Sequence, residues 1–319
     1  MKSAQINRYG SSDVIEINQN TSAASLPTSS GKILVDVKAS GVNPVDWKIR
    51  EGYMQQMMPL QFPATLGMDF SGIIKDVGSG QGISTADLKQ GDEVYGQASV
   101  TKGGSGAFAE VAVTNADNIA LKPKNLSFEE AAALPLVGVS AWQALVENMN
   151  LSQGQKILIH GGAGGIGSVA IQFAKNLGAF VATTVNSDDA DYVQRLGADE
   201  TIDYKKQDFE KMVNDYDAVY DTVGGQTYTK SFNVLKKGGI IVSMLEQPNT
   251  DLMQHFGVKA IFLLTQVNRE RLTQLAKLVD QNNIKINIDK TFSLDETAEA
   301  LDYVKDVHPR GKVVLEIKS

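Results

Sequence analysis

Gly162-Ala163-Gly164-Gly165-Ile166-Gly167 directly follows the apolar run Ile157-Leu158-Ile159. It opens a stretch in which Ile166, Val169, Ala170, Phe173, Ala174 and Leu177 recur at spacings of three and four, one apolar stripe on a helix. Few folds accept that junction. The first glycine permits the tight turn, the second lets backbone approach a pyrophosphate, and the third lets the helix pack closely on the strand. The helix amino terminus adds unpaired N–H groups and partial positive charge for an anion. Gly178 stands where such a helix would end. Taken alone, the pattern also suits a plain glycine-rich turn, so its surroundings decide. From about 124 the runs Phe180 to Val185, Thr201-Ile202, Ala218-Val219-Tyr220 and Ile240-Ile241-Val242 alternate with helix-period segments. That alternation is the pattern of βαβ units and a parallel sheet.

Residues 1 to about 123 read differently. Short alternating runs such as Ile33-Leu34-Val35-Asp36-Val37 and Glu93-Val94-Tyr95 are punctuated by glycines and predict strands and turns. The clusters Gly78 to Gly82 and Gly103 to Gly106 read as loops between strands. After about 265 come a helix carrying Leu272, Leu275, Ala276, Leu278 and Val279, the pair Thr291-Phe292, a second helical stretch, and a terminal strand from Lys312 to Ile317. This last segment is too small to bury a core alone and is expected to complete the amino-terminal β-rich unit. At about 150 residues per domain, 319 residues suggest two domains. The expected division is 1–123 with 265–319 around 124–264.

Thirty basic against 37 acidic side chains leave a net charge of −7, opposite in sign to a nucleic-acid footprint. No nucleic-acid partner is expected. The chain has no cysteine, which removes disulfides, thiolate nucleophiles, iron–sulfur clusters and cysteine-ligated zinc. No apolar signal region opens the sequence and no run approaches 18 apolar residues, so a soluble cytoplasmic protein without a membrane partner is expected.

The end of the strand after the glycine turn selects the dinucleotide, because an acid there would grip a ribose 2′-hydroxyl. Here it ends Thr184-Val185-Asn186-Ser187, with short hydrogen-bonding side chains suited to a 2′-phosphate. Arg195 and Lys205 are placed to add positive charge. Asp188, Asp189 and Asp191 oppose it, each like-charge approach at 4 Å costing ~1 kcal/mol even in water. An acidic first turn complementing a helix dipole also explains them. NADPH is favoured over NADH.

Further segments carry a resemblance: GVNPVDWKIREG at 41–52, PATLGMDFSG at 63–72, GDEVYG at 91–96, GSGAFAEVA at 104–112 and ALPLVGVSAWQAL at 133–145. With HGGAGGIGSVAIQFAK at 160–175, LGADETIDY at 196–204, DTVGG at 221–225, LKKGGIIVSM at 235–244 and RGKVVL at 310–315, the chain resembles the zinc-independent quinone oxidoreductase branch of the medium-chain dehydrogenase/reductase superfamily. The resemblance covers nearly the whole chain. It implies an α/β fold in which a GroES-like, β-rich catalytic domain, formed by both chain ends, flanks a Rossmann doubly wound parallel sheet, with the active site in the cleft between them. It also implies NADPH, no zinc, and a possible homodimer. Where zinc-dependent relatives place a cysteine this chain has Asn43, and where they place a His-Glu pair it has Met68-Asp69. His160, His255 and His308 are the only histidines, and none is spaced as a ligand.

Hydride transfer to a quinone, or to the β-carbon of an enone, leaves negative charge on a carbonyl oxygen. Without a metal, hydrogen-bond donors must carry that charge, and one well-placed donor is worth about 10²- to 10³-fold in rate. Asn43, Lys48 and Tyr53 lie in the segment that the resemblance sets beside the nicotinamide, and Lys48 and Tyr53 can also deliver a proton. Each has a bland alternative: a turn residue before Pro44, a solvated lysine, a packing or lid tyrosine. Asp46 and Asp69 are expected to hold loops. The resemblance further implies cofactor contacts from Ser140, which a helix cap would explain equally well, and from Tyr204, with Arg310 a further candidate; Val223, Ser243 and Met244 lie where successive parallel strands end and ligands collect, so backbone contacts to the cofactor are expected there. An NADPH-dependent, metal-free reductase of quinones or α,β-unsaturated carbonyls is the leading expectation. The alternatives are an enoyl-thioester reductase and a non-catalytic NADPH-binding or redox-sensing module.

Overall fold

A computed structural model describes residues 1–22, 31–78 and 88–317. The loop read at Gly78 to Gly82 lies outside the described residues beyond Gly78. The amino-terminal strands are β1 (Ser3–Ile6), β2 (Ile15–Asn18), β3 (Lys32–Val42), β4 (Ala64–Thr65), β5 (Asp69–Val77), β6 (Glu93–Gln97), β7 (Val111–Asn115) and β8 (Ile119–Leu121). Six more follow: β9 (Lys156–His160), β10 (Phe180–Val185), β11 (Glu200–Asp203), β12 (Tyr216–Asp221), β13 (Leu235–Ser243) and β14 (Lys259–Phe262). The last two are β15 (Ile288–Ser293) and β16 (Lys312–Glu316).

Contacts divide the chain into two compact units, Met1–Leu136 with Val267–Ser319, and Val137–Gln266. In the first unit, β15, β16, β3, β5, β6 and β8 form one sheet, with β7 also paired to β3, and β2-β1-β4 form a second. The carboxyl-terminal strand β16 pairs antiparallel with β3, Leu315 opposite Ser40. Alternation explains the sheet's inner face: Ile33, Val35 and Val37 of β3 are fully buried and pack with Phe70, Ile74, Val94 and Ile119. Each such side chain contributes roughly 1.5–3 kcal/mol by leaving water. The unit runs on past the change of texture at 124 to Leu136, because helix α2 (Phe128–Ala132) is tied down there after α1 (Pro44–Arg50) has crossed the same unit. Ser71 Oγ donates to the Phe128 carbonyl at 2.5 Å, and a Cβ on Gly41 would stand 2.3 Å from the Ala132 carbonyl oxygen.

The second unit opens within α3 (Pro135–Trp142) and is built on one six-stranded sheet in the order β11-β10-β9-β12-β13-β14, all parallel. The order reverses between β9 and β12, the point at which open α/β sheets take ligands at the carboxyl ends of their strands. The segment 245–262 contains a helix (Thr250–Phe256) and the edge strand β14. Four residues carry too little periodicity to announce that strand. No helix among the described residues is long and apolar enough to cross a membrane.

Candidate functional site

Helix α4 (Gly165–Asn176) starts immediately after β9, with Gly164 as its cap at φ −74° and no side chain to satisfy the first-turn N–H groups. The left-handed residue of the turn is Gly161 (φ +74°), one position ahead of the expected one. The glycines of the fingerprint have separate causes. A Cβ on Gly162 would lie 2.1 Å from Thr183 Oγ1, and one on Gly167 2.2 Å from the Gly161 carbonyl oxygen. The protein's own packing therefore demands both. At Gly164 the nearest atom is 3.5 Å away, so the space a side chain would take opens outward beside half-exposed Ala163, Gly165 and Ile166. The turn fits a pyrophosphate, since backbone donors and room coincide there.

Two adjacent threonines of β10 shape this turn, and neither was singled out in the sequence. Thr183 Oγ1 donates to the Ile159 carbonyl at 2.7 Å. Thr184 accepts the Gly162 N–H on its carbonyl at 3.1 Å and the Gly161 N–H on its hydroxyl at 3.3 Å. Beyond β10, Asn186 is half-buried and Ser187 exposed. Lys206 Nζ donates to Ser187 Oγ at 3.3 Å and pairs with Asp203 at 3.1 Å. The backbone N–H of Lys205 holds the Asp203 carboxyl below its usual range, with Lys206 adding to the effect. Lys206, rather than its neighbour Lys205, is the cation against the serine. Arg195 ends the short helix Ala190–Arg195 and is exposed, as is Tyr204, whose N–H bonds the Val185 carbonyl at 3.2 Å.

The ends of β12 and β13 are laced by a buried carboxylate. Asp221 accepts from the Val223 and Gly224 N–H groups at 3.0 and 2.9 Å and from Ser243 Oγ at 2.7 Å. Ser243 Oγ in turn accepts the N–H groups of Leu245 and Glu246 at 3.1 and 3.0 Å. The hydroxyl of Ser243 and the N–H of Val223 are thus committed within the fold, whereas the Val223 side chain is half exposed. Met244 donates its N–H to the Asp221 carbonyl at 3.0 Å, and its sulfur accepts from Tyr220 at 3.4 Å. Ser140 lies inside α3 rather than at its cap, fully buried, its hydroxyl 2.6 Å from that of Thr265.

In the first unit the expected catalytic residues separate in character. Asn43 caps α1, whose first residue is Pro44, and is fully buried. Its N–H donates to Asp46 at 2.8 Å and its side-chain Nδ2 to Asp69 at 2.9 Å, while its Oδ1 accepts from Lys312. Lys312, expected from the sequence only as the first residue of the terminal strand, is buried at the start of β16 and also donates to the Val42 carbonyl at 2.7 Å. Burial lowers its pKa against the opposing pull of Asp69 and Asp46. Asp69 accepts further bonds from Gln97 at 2.8 Å and the Leu136 N–H at 3.0 Å, and desolvation still raises its carboxyl above the usual range. Desolvation pushes Asp46 up to about 7, and its Oδ1 has no hydrogen-bond partner. Asp46 and Asp69 share one buried network through Asn43, Asp46 from within α1 and Asp69 from the start of β5. A zinc site gathers three or four deprotonated donors. Here an ammonium stands among the polar groups, and no group of three or more His, Cys, Asp or Glu among the described residues gathers to hold an ion, so these residues do not fit one.

Lys48 is half-buried and Tyr53 exposed. Lys48 Nζ lies 5.6 Å from the centroid of the Trp47 ring, and Tyr53 packs edge-on against that ring at 5.8 Å with 73% of its surface exposed. A shallow cavity of about 540 Å³ is lined by Tyr53, Gly52, Glu51, Gly10, Ser11 and Lys305. Arg310 is also exposed, and its carbonyl accepts from Asn287 at 2.6 Å.

Residues 29–124 match the family model of the alcohol dehydrogenase GroES-like domain, and residues 196–315 that of the zinc-binding dehydrogenase. The chain is 36% identical to 2-methylene-furan-3-one reductase of Solanum lycopersicum over 99% of its own length and 79% of the relative's. It is 34% identical to the chloroplastic NADPH-dependent alkenal/one oxidoreductase of Arabidopsis thaliana, over the same shares. Among solved structures, the quinone oxidoreductase of Coxiella burnetii superposes with a TM-score of 0.88 at 33% identity, covering 100% of this chain and 99% of that one. The quinone oxidoreductase of Escherichia coli, solved with NADPH, gives 0.86 at 26% identity, over 99% and 100%. The fold is therefore α/β, with a GroES-like unit and a parallel Rossmann sheet. Whole-length identity above 30% and matched domains at both ends leave one conclusion: the chain is an oxidoreductase that belongs to the medium-chain dehydrogenase/reductase superfamily, in its quinone oxidoreductase branch.

Proposed function

We propose that this oxidoreductase uses NADPH to reduce quinones or α,β-unsaturated carbonyl compounds without a metal. One observation carries the cofactor choice. At the strand end that selects the dinucleotide, Ser187 Oγ and Lys206 Nζ stand 3.3 Å apart. A hydroxyl and an ammonium suit a 2′-phosphate once Lys206 turns from Asp203 to the ligand, whereas NADH would ask for a carboxylate at the end of β10, where Asn186 and Ser187 stand. The dinucleotide would lie over the half-exposed turn Ala163 to Ile166, its pyrophosphate met by the uncapped N–H groups of α4. Arg195, Tyr204, Val223, Met244 and Arg310 remain cofactor contacts within this proposal, and the fully buried Ser140 and Ser243 enter it as residues that shape the site, Ser140 through Thr265 and Ser243 at the β13 end.

When bound, the reduced nicotinamide supplies the hydride. The protein must then stabilise the negative charge left on the substrate oxygen and provide one proton. Lys48 and Tyr53 both carry a transferable proton on an accessible side chain, so either can meet the oxygen and deliver it. The Asn43 amide is fully buried and already bonds Asp69 and Lys312, so its proposed part is to hold the start of α1, which carries Lys48, in place. The names of the tomato and Arabidopsis relatives support an enone or enal as substrate. A homodimer and a cytoplasmic location stay within the proposal.

The test is turnover by purified protein with NADPH or NADH against a panel of quinones, enals, enones and enoyl thioesters, followed by loss of the reduced-nicotinamide absorbance. Faster turnover of enals, enones or quinones with NADPH is expected. Activity confined to thioesters, or equal use of NADH, would overturn the reading. Gly164→Ala complements the panel. Its Cβ meets nothing closer than 3.5 Å inside the protein, so the melting temperature should hold while NADPH affinity falls.

A further inference from the structure

His160 closes β9 immediately ahead of the turn and is fully buried, its ring edge-on to Phe209 at 4.6 Å. Its Nδ1 lies 3.1 Å from Thr184 Oγ1 and its Nε2 2.9 Å from Ser231 Oγ, where Ser231 ends the helix Gln226–Ser231 that follows β12. The Ser231 hydroxyl proton is already spent on the Thr227 carbonyl at 2.6 Å. Ser231 Oγ must therefore accept from the ring, and Nε2 bears the proton. A neutral imidazole has one N–H, so Nδ1 is an acceptor and the Thr184 hydroxyl donates to it. Thr184 Oγ1 in turn accepts the Gly161 N–H, while the Thr184 carbonyl accepts that of Gly162. Thr222 Oγ1 adds a tie to the His160 carbonyl at 2.7 Å. Burial, opposed only by Asp221, holds the imidazole pKa down at about 4, so the neutral ring persists at physiological pH.

The result is one directed chain of hydrogen bonds: Gly161 N–H to Thr184, Thr184 O–H to His160, His160 N–H to Ser231, and Ser231 O–H to the Thr227 carbonyl. We propose that Thr184 and His160, with Ser231 behind them, are positioning residues for the dinucleotide: by holding the Gly161 N–H inward, beside the backbone bond from Gly162 to the Thr184 carbonyl, they keep the turn in the shape that receives the pyrophosphate. The inference deepens the cofactor reading above and rests on it. It also gives the buried histidine a task that neither metal binding nor proton transfer supplies.

The test compares NADPH affinity of Thr184→Val, Thr184→Ser, Ser231→Ala and the Thr184→Val/Ser231→Ala double variant with that of wild type. Valine keeps the shape of threonine and removes the hydroxyl. Losing one net hydrogen bond predicts about 3- to 10-fold weaker binding for Thr184→Val and for Ser231→Ala, with Thr184→Ser restored to near wild type. The double variant should bind no more weakly than the worse single variant, because the chain breaks once. The loss should appear in KM for NADPH more than in kcat. Nitrogen-15 spectra of the wild type should show His160 as the Nε2–H tautomer at neutral pH. Should Thr184→Val not fold, Ser231→Ala reads the same chain from its far end. Unchanged affinity in the variants alongside normal wild-type binding, or an Nδ1–H tautomer, would overturn this inference alone. Wild-type protein that binds no dinucleotide would overturn the cofactor reading with it.

Discussion

Replacing Lys312 by methionine tests the buried network of the first unit, since methionine keeps the stem and removes the ammonium. The Val42 carbonyl and Asn43 Oδ1 lose their donor, and Asp69 and Asp46 lose the positive charge that offsets their burial. Removing one partner from a buried ionic network costs about 3–5 kcal/mol. A stranded polar atom costs about 1–3 kcal/mol, a loss that overlaps with the first rather than adding to it. Protonation caps the total, because a carboxyl can take up a proton sooner than bear an unpaired charge. The sign follows from the raised carboxyl pKa values. An acid whose folded pKa lies above its unfolded one stabilises the fold below the unfolded value and loses that contribution as pH rises through the folded one. Deleting the ammonium raises Asp46 and Asp69 further, so the deficit of Lys312→Met should grow between pH 5 and pH 8. We expect about 3–5 kcal/mol at pH 8 and about 1–2 kcal/mol at pH 5. The chain has two tryptophans, one in each unit. A Trp142→Phe background leaves Trp47 as the sole reporter of the unit that holds Lys312, and urea unfolding followed by its fluorescence gives the free energies. A deficit below about 1 kcal/mol at pH 8, or one equal at both pH values, would refute the reasoning.

Asp46→Asn should flatten the pH dependence of the same unit, removing up to roughly 4 kcal/mol of stability loss between pH 4 and pH 8. Midpoints in urea at the two pH values check it. Lys206→Ala should raise KM for NADPH about 5- to 20-fold and leave KM for NADH within about 2-fold, the pattern expected if one charge-assisted hydrogen bond to a 2′-phosphate is lost. Lys48→Ala should lower kcat about 10²-fold with little change in NADPH affinity if Lys48 meets the substrate oxygen, and stopped-flow turnover separates the two. Unchanged kcat would leave Tyr53 as the proton donor.

The parallel sheet was legible because β9, β10 and α4 combine unbroken apolar patterning with a glycine turn, and periodicity and turn chemistry are local properties. β14 was not, since Lys259–Phe262 is short and lies at the sheet edge. Asn43, Lys48, Tyr53 and the turn glycines could be named from the chain, but what their side chains touch could not. Lys312 opens an apolar terminal strand and reads as an ordinary strand-end lysine. Its burial depends on Val42 and Asn43, which are 270 and 269 positions away. Lys206 displaced Lys205 beside Ser187 for a similarly small reason: the turn after Asp203 sends one side chain to the serine and spends its neighbour's N–H on the aspartate.

A cation carried on the polypeptide is delivered by translation. Every copy leaves the ribosome with the positive charge of Lys312 already in its sequence, at fixed stoichiometry and with no loading step to await. Its supply follows gene expression, so the charge that offsets the burial of Asp46 and Asp69 is present in every folded copy.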